Sequence, residues 1–369
     1  MTQLQPRIEL AEQQGAADLA AVDGRIAAFF AERIARAGGY GDEYLRLWCS
    51  ARAAADGGKR IRPRFVLSAF RALSGAGEVA QTAPLADAAL DTAVAFELLH
   101  TAFLLHDDVI DGDTVRRGRP NIAGEFSADA AERGAPGAVA QLWGESAAIL
   151  AGDLLIHAAS SLVARLDVPA AIRGRLLDVL DHSVFVTAAG ELADVRLSTG
   201  LGSPELADVL RMTEHKTAAY SVAGPLLAGA ILAGAEGELL DRLAEYGRLV
   251  GIAFQLGDDI LGVFGTPDVT GKSILSDLRE GKETTLIAYA RSTTGWPAVS
   301  AVLERHDPGH DDAEALAAAL ETCGARRFVE DLLGDHVSAA LALLDSPEVP
   351  QRLAAPLADL ARSCIGRTA

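Results

Sequence analysis

Apolar side chains recur along most of this chain at three- and four-residue steps, the spacing of one face of an α-helix. Ile26, Phe29, Phe30 and Ile34 share one side of a first helix, which Gly38 and Gly39 end. A second helix is expected over Asp42–Ala55. The longest pattern covers 84–105, where Ala93, Phe96, His100, Phe103 and Leu104 lie on one stripe that continues to Asp107 and Asp111. Thr82 and Pro84 suit the cap and first turn of that helix. Residues 75–81 read as a linker. Residues 124–141, rich in Gly, Ala and charge and broken by Pro136, read as a loop. Helical patterning returns from Trp143, over 170–197 and from Ser203-Pro204. A short apolar helix follows a turn at Gly224-Pro225, and a long one occupies Glu238–Phe264. After Lys282 amphipathic helices continue, with loops near 306–312 and 345–349. Residues 1–20 are polar and expected to be unordered in part. Period-two alternation is scarce, so the expected class is all-α.

Composition agrees, since alanine and leucine dominate a chain of 369 residues that is 50% hydrophobic and 5% aromatic. The net charge of −18 argues against a nucleic-acid partner, which needs a basic surface. It leaves room for a phosphorylated small molecule, which needs only a local basic pocket. Cys49, Cys323 and Cys364 form no CxxC, so neither a disulfide framework nor a zinc site is indicated, and each reads as a buried small hydrophobe. The N-terminus lacks a basic-then-apolar leader, and no apolar run is expected to reach membrane-spanning length. A soluble cytoplasmic protein is expected.

The chemistry gathers at the end of the long central pattern. Residues 104–121 hold four carboxylates (Asp107, Asp108, Asp111, Asp113), then Arg116, Arg117 and Arg119. Asp107 and Asp111 are one helical turn apart, and like charges at that spacing repel by a few tenths of a kcal/mol or more. Oxygen-only ligands suit a hard cation, and Mg²⁺ held by one or two carboxylates while bridging substrate phosphates fits best. Arginine is the residue type suited to bidentate phosphate contacts. In isolation the stretch reads equally as an acidic helix end beside a solvated basic loop. Gly57-Gly58 followed by Lys59, Arg60, Arg62 and Arg64 at a helix start offers cations and free N–H groups to an anion, though the P-loop spacing is absent. A second acidic pair, Asp258-Asp259, ends another long helix, with Gln255 on the same face and Gly247 and Gly251 spaced for close helix approach. Lys272 and Lys282 follow as further phosphate-facing cations.

Together GGKRIRP (57–63), HDDVIDGDTVRRGRP (106–120), AGDLL (151–155), HKT (215–217), FQLGDD (254–259) and GK…DLREGK (271–282) resemble the polyprenyl synthetase family of trans-isoprenyl diphosphate synthases over about 45–290. The resemblance implies a single domain over 1–369, an isoprenoid-synthase-type helical bundle around a deep central cavity, the two acidic motifs facing across its mouth, and a homodimer. It implies that Asp107, Asp111 and Asp258 bind Mg²⁺, with Asp108 and Asp259 in support. Arg116, Lys216, Thr217, Gln255 and Lys272 would contact the allylic diphosphate (dimethylallyl, geranyl or farnesyl), and Lys282 would lie at the same mouth. Lys59, Arg62, His100 and Arg117 would hold the diphosphate of isopentenyl diphosphate. The second motif departs from DDxxD, with Gly262 in its third acidic position, and GELAD carries Glu191 where glutamine is common. In the family, aromatic residues just above the first motif stop chain growth. Here one bulky residue, Phe103, stands beside small Ala102, which suggests geranylgeranyl diphosphate, with farnesyl or longer products as alternatives. A class I terpene cyclase shares DDxxD but needs no isopentenyl diphosphate site. A non-catalytic subunit would be expected to have lost more of these polar residues.

Overall fold

The computed structural model describes residues 5–74, 83–199, 201, 204–265, 282–305 and 310–366. Among the described residues it is all-α apart from one two-stranded hairpin. The chain forms two compact units: residues 1–180 with 225–235, and residues 181–224 with 236–369.

In the first unit, α1 (Gln5–Ala37), α2 (Asp42–Ala55) and α3 (Ile61–Ser74) surround α4 (Ala83–Ile110), which also packs on α6 (Gly137–Ala164). Phe96, Leu98, Leu99, Ala102 and Leu105 of α4 are almost fully buried, and each large side chain contributes about 1.5–3 kcal/mol. Residues 5–20, expected to be unordered in part, belong to α1. Two of its acidic side chains are paired, Asp18 with Arg71 and Asp23 with Arg60, both from the α3 region. The expected loop over 124–141 is also largely helical. Asn121 accepts a hydrogen bond from the Gly124 N–H (2.8 Å) and caps α5 (Ile122–Glu132), while Pro136 precedes α6. Ile122, Phe126 and Ala130 form the buried stripe that the glycine-rich composition obscured. Gly144 is a packing contact, because a Cβ there would come within 3.0 Å of the Ala123 carbonyl carbon.

The second unit is built on α10 (Glu238–Phe264). A π-helix (Glu214–Ala223) packs against it, as do α14 (Ala325–Leu344) and α15 (Gln351–Gly366). α8 (Leu206–Thr213), α11 (Thr285–Arg291), α12 (Trp296–Leu303) and α13 (His310–Thr322) complete it. α7 (Ala170–Ser198) gives its first part to one unit and the rest to the other. Gly224-Pro225, expected as a turn, instead joins the π-helix to α9 (Gly224–Leu232) without a break. Proline donates no hydrogen bond and sits where the helical register changes. Gly247 and Gly251 do allow close approach: a Cβ on either would lie 2.5 Å from the Cα of Ala223 or Ala218 in the π-helix.

Two further expectations fail. Pro84–Ile110 and Gly137–Ala164 are long and apolar enough, by length and composition, to cross a bilayer. Core helices pass the same test, and 72% of the first segment's most apolar window is buried inside the protein, against 44% for the second. Cys49 is exposed rather than buried, while Cys364 is buried as expected.

Candidate active site

Each unit gathers its own set of the polar residues singled out by the sequence. In the first, α4 ends in a Schellman motif: the Asp113 N–H donates to Asp108 O (2.8 Å), the Gly112 N–H donates to Val109 O (3.3 Å), and Gly112 takes φ +71°. This terminus fixes Asp107, Asp108 and Asp111 together where the helix dipole disfavours anions, so cations must offset the cost. Arg116 does so, donating to Asp108 Oδ1 (2.6 Å) and Asp107 Oδ2 (3.2 Å). The hairpin Val115–Arg116/Arg119–Pro120 turns through Arg117 and Gly118, both at positive φ, as a two-residue type I′ loop requires. That turn aims Arg116 back at the carboxylates and sends Arg117 to the glycine turn after α2, where it donates to Asp56 O (3.4 Å).

Asp108 is only 1% exposed. Burial raises its pKa above the usual carboxylate value, and Arg116 opposes that only in part. For Arg116 burial acts downward, but the hydrogen bond and charge of Asp108 with the charges of Asp107 and Asp113 outweigh it and hold the pKa up. His100, two turns back on α4, is held well below its ordinary value by burial and then by the charges of Arg62, Arg117, Arg116 and Arg60. Four arginines near enough to lower its pKa make the surroundings of half-buried His100 electropositive. Lys59, in the turn before α3, is exposed, and Arg62 lies in the first turn of α3.

AGDLL has a local explanation. Gly152 of α6 lies under the His106 ring, and a Cβ there would overlap it. His106 Nε2 is 3.2 Å from Ile149 O and 3.5 Å from Asp153 Oδ1, so this contact fixes the residue just before Asp107.

In the second unit the HKT residues sit in the π-helix, a form concentrated at functional sites. Lys216 donates to Asp194 Oδ2 (2.6 Å) and Glu191 Oε1 (3.1 Å), both from GELAD. Gly190 makes room for this, since a Cβ there would lie 2.7 Å from Lys216 Cα. Thr217 donates to Gln255 Oε1 (3.2 Å), Gln255 donates to Asp259 Oδ1 (3.1 Å), and the Thr285 N–H donates to Asp259 Oδ2 (3.4 Å). Asp259 is thus fixed by three elements, while Asp258 beside it is half-buried. Lys282 is half-buried just before α11; Lys272 lies outside the described residues. Sequence reasoning passed over Glu191 and Asp194 as partners of Lys216, although two acids three apart on a helix were a signal. It also missed the pairing of Arg60 with Glu97, which no pattern marks.

The donor set suits Mg²⁺. Asp108 Oδ2 is buried without a hydrogen-bond partner, and the carboxylates of Asp107, Asp108 and Asp111 at this helix end offer only oxygen. Among the described residues no three His, Cys, Asp or Glu side chains converge to cage a metal by themselves.

The fold and these helix ends define an all-α protein of the isoprenyl-synthase bundle type. A structure of geranylgeranyl pyrophosphate synthase from Corynebacterium glutamicum, complexed with isoprenyl diphosphate and magnesium, superposes with TM-score 0.85 at 30% identity, covering 94% of this chain and 97% of that one. A farnesyl diphosphate synthase of Mycobacterium tuberculosis is 33% identical, over 85% of this chain and 80% of its own. A geranylgeranyl diphosphate synthase of Methanosarcina mazei is 31% identical over 78% and 80%, and a nonaprenyl diphosphate synthase of M. tuberculosis is 36% identical over 81% and 80%. Residues 49–321 match the polyprenyl synthetase family. The chain belongs to that family and is a trans-prenyltransferase.

Proposed function

We propose that the enzyme condenses isopentenyl diphosphate head to tail with an allylic diphosphate, in a Mg²⁺-dependent reaction, and releases geranylgeranyl diphosphate. The observation that carries this reading is that one helix, α4, carries a carboxylate cluster (Asp107, Asp108, Asp111) clamped by Arg116 and, two turns back, His100 in the electropositive surroundings of Arg62 and Arg117. One suits a metal-bound diphosphate and the other a second diphosphate held by cations alone. A cyclase has no use for the second.

Asp107, Asp111 and Asp258 would hold Mg²⁺, which supplies charge neutralisation at the leaving diphosphate. Arg116, Lys216, Thr217, Gln255, Lys272 and Lys282 orient that group. Lys59, Arg62, His100 and Arg117 hold isopentenyl diphosphate so that its double bond meets the allylic carbon. The allylic C–O bond breaks, its electron pair leaving with pyrophosphate. The isopentenyl double bond then forms the new C–C bond to the allyl cation, and the resulting cation loses its proton to the departing pyrophosphate. Exclusion of water would favour this charge separation only with the cations preorganised around the diphosphate. Phe103, one turn above Asp107 and half-buried, would end the growing chain, while Ala102 beside it is fully buried. The relatives span farnesyl, geranylgeranyl and nonaprenyl products, so product length rests on Phe103.

The exposed apolar face of α6, with Val139, Leu142, Trp143, Ile149 and Leu150, supports the homodimer reading: a contiguous stripe of this kind marks an interaction surface. A cytoplasmic location fits cysteines that are not joined in disulfides, Cys49, Cys323 and Cys364. Purified protein, Mg²⁺ and labelled isopentenyl diphosphate, with dimethylallyl, geranyl and farnesyl diphosphate in turn, test the reading by chromatography of the dephosphorylated products. A twenty-carbon alcohol is expected; a fifteen-carbon or much longer one overturns the chain-length assignment.

A further inference from the structure

Arg60 stands inside the basic turn but does not belong to its exposed cations. It is 7% exposed, and its guanidinium is turned into the protein. Nε donates to Asp23 Oδ1 of α1, and Nη1 donates to Ala55 O at the end of α2 and to Glu97 Oε1 of α4, all at 2.9 Å. Its own carbonyl accepts from the Arg64 N–H (3.1 Å), so Arg60 is also the residue at which α3 starts. One side chain therefore ties four helices together at the point where Lys59 leaves the turn and Arg62 enters the first turn of α3.

This arrangement is costly. Arg60 takes φ +48°, a left-handed conformation that a non-glycine residue rarely adopts. Glu97 is 5% exposed, and its Oε2 has no hydrogen-bond partner. A buried ion pair that is only half satisfied is a poor stabiliser compared with apolar packing. What it does provide is placement. Glu97 is three residues before His100 on α4, so the bond from Arg60 to Glu97 fixes the distance between the basic turn and the imidazole.

We propose that Arg60 and Glu97 are positioning residues for the second diphosphate pocket, setting the affinity for isopentenyl diphosphate by holding Lys59 and Arg62 beside His100 without touching substrate. The inference rests on the functional reading above. The pair acts on one substrate of two, which separates it from a purely structural role: a loosened turn weakens the isopentenyl diphosphate site and leaves the Asp107–Asp108–Arg116 end intact.

The test is steady-state kinetics on the full chain with each substrate varied in turn. Glu97→Gln keeps the side-chain volume and one acceptor oxygen while removing the charge that holds Arg60. Asp23→Asn weakens the tie at a side chain that is 57% exposed, so it tests the same turn with little risk to folding. Glu97→Gln is expected to raise KM for isopentenyl diphosphate about tenfold while KM for the allylic diphosphate and kcat stay within about twofold. Asp23→Asn is expected to shift the same KM in the same direction by a smaller factor. Parallel rises in both KM values, or an unchanged isopentenyl diphosphate KM in both variants, overturn the positioning role. If Glu97→Gln does not fold, Asp23→Asn decides alone. Wild-type protein that forms no condensation product at all would instead refute the functional reading, and this inference with it.

Discussion

Gly251→Ala and Gly334→Ala are the same substitution in two helices of one unit, and they should act in opposite directions. Alanine in a helix interior is favoured over glycine by about 0.5–1 kcal/mol. At Gly334, inside α14, a Cβ meets nothing within 4 Å, so the gain should appear undiminished. At Gly251 the new Cβ would lie 2.5 Å from Ala218 Cα and closer still to its Cβ. Neither neighbour can rotate away, because one is backbone and the other a single methyl group. The π-helix must move outward, and overpacking of this kind costs about 1–3 kcal/mol beyond the helical gain. A net loss near 2 kcal/mol is reasonable. With an unfolding entropy of about 2.1 cal/mol/K per residue, the 369 residues give about 0.8 kcal/mol/K and a Tm decrease of about 2.5 °C. Activity should suffer more than stability, since Ala218 follows Thr217, whose bond to Gln255 spans 3.2 Å. A displacement of half an ångström breaks that bond and loosens the Gln255–Asp259 link behind it. Scanning calorimetry and kcat on both variants check this. Gly251→Ala at or above wild-type Tm with full kcat would show that close helix approach does not hold the HKT segment in place.

Three further outcomes follow from the first unit. Asp108→Ala leaves Arg116 without its 2.6 Å partner and should cost about 3 kcal/mol in denaturant unfolding, with kcat/KM falling at least about a hundredfold; a stable, active variant would refute the clamp. Phe103→Ala should lengthen the product on chromatography, and identical products from mutant and wild type would remove Phe103 as the floor. His100 has a folded pKa well below the ordinary 6.5, so under acid conditions the unfolded chain binds a proton that the folded chain refuses. Stability should therefore be unaffected by this group above pH 6.5 and fall as pH drops below it, by at most about 1.4 kcal/mol per pH unit. His100→Gln should flatten that slope in denaturant titrations, and an unchanged slope contradicts the lowering of the His100 pKa by burial and the nearby arginines.

Periodicity located the helices because a buried stripe leaves a three- and four-residue signature whatever the neighbours are, as in α4 and α10. It failed over 124–141, where the apolar stripe of α5 was diluted by small residues that serve as packing contacts, such as Gly124, where a Cβ would lie 3.0 Å from the Thr114 carbonyl carbon. The polar motifs were legible because charge of both signs near one helix end is rarely neutral in meaning. Their internal partnerships were not. That Arg60 faces inward while Lys59 stays exposed depends on a left-handed backbone at one residue, and no residue type announces it. Lys216 read as a phosphate ligand from its motif; that two carboxylates hold it follows only from the approach of the π-helix to α7 at Gly190. The apolar content of α4 and α6 was underestimated from the sequence: both are long and apolar enough to span a bilayer, a property that helices packed against one another share with helices in lipid.

The most direct test follows two labels in one reaction: carbon in isopentenyl diphosphate and phosphorus in the diphosphate of farnesyl diphosphate, with Mg²⁺ present. The account predicts one labelled pyrophosphate released for each labelled isopentenyl unit incorporated into a longer prenyl diphosphate, with neither seen for Asp107→Ala. Pyrophosphate release without incorporation, accompanied by a hydrocarbon, would contradict it, because ionisation would then occur with no second diphosphate engaged by the arginines around His100.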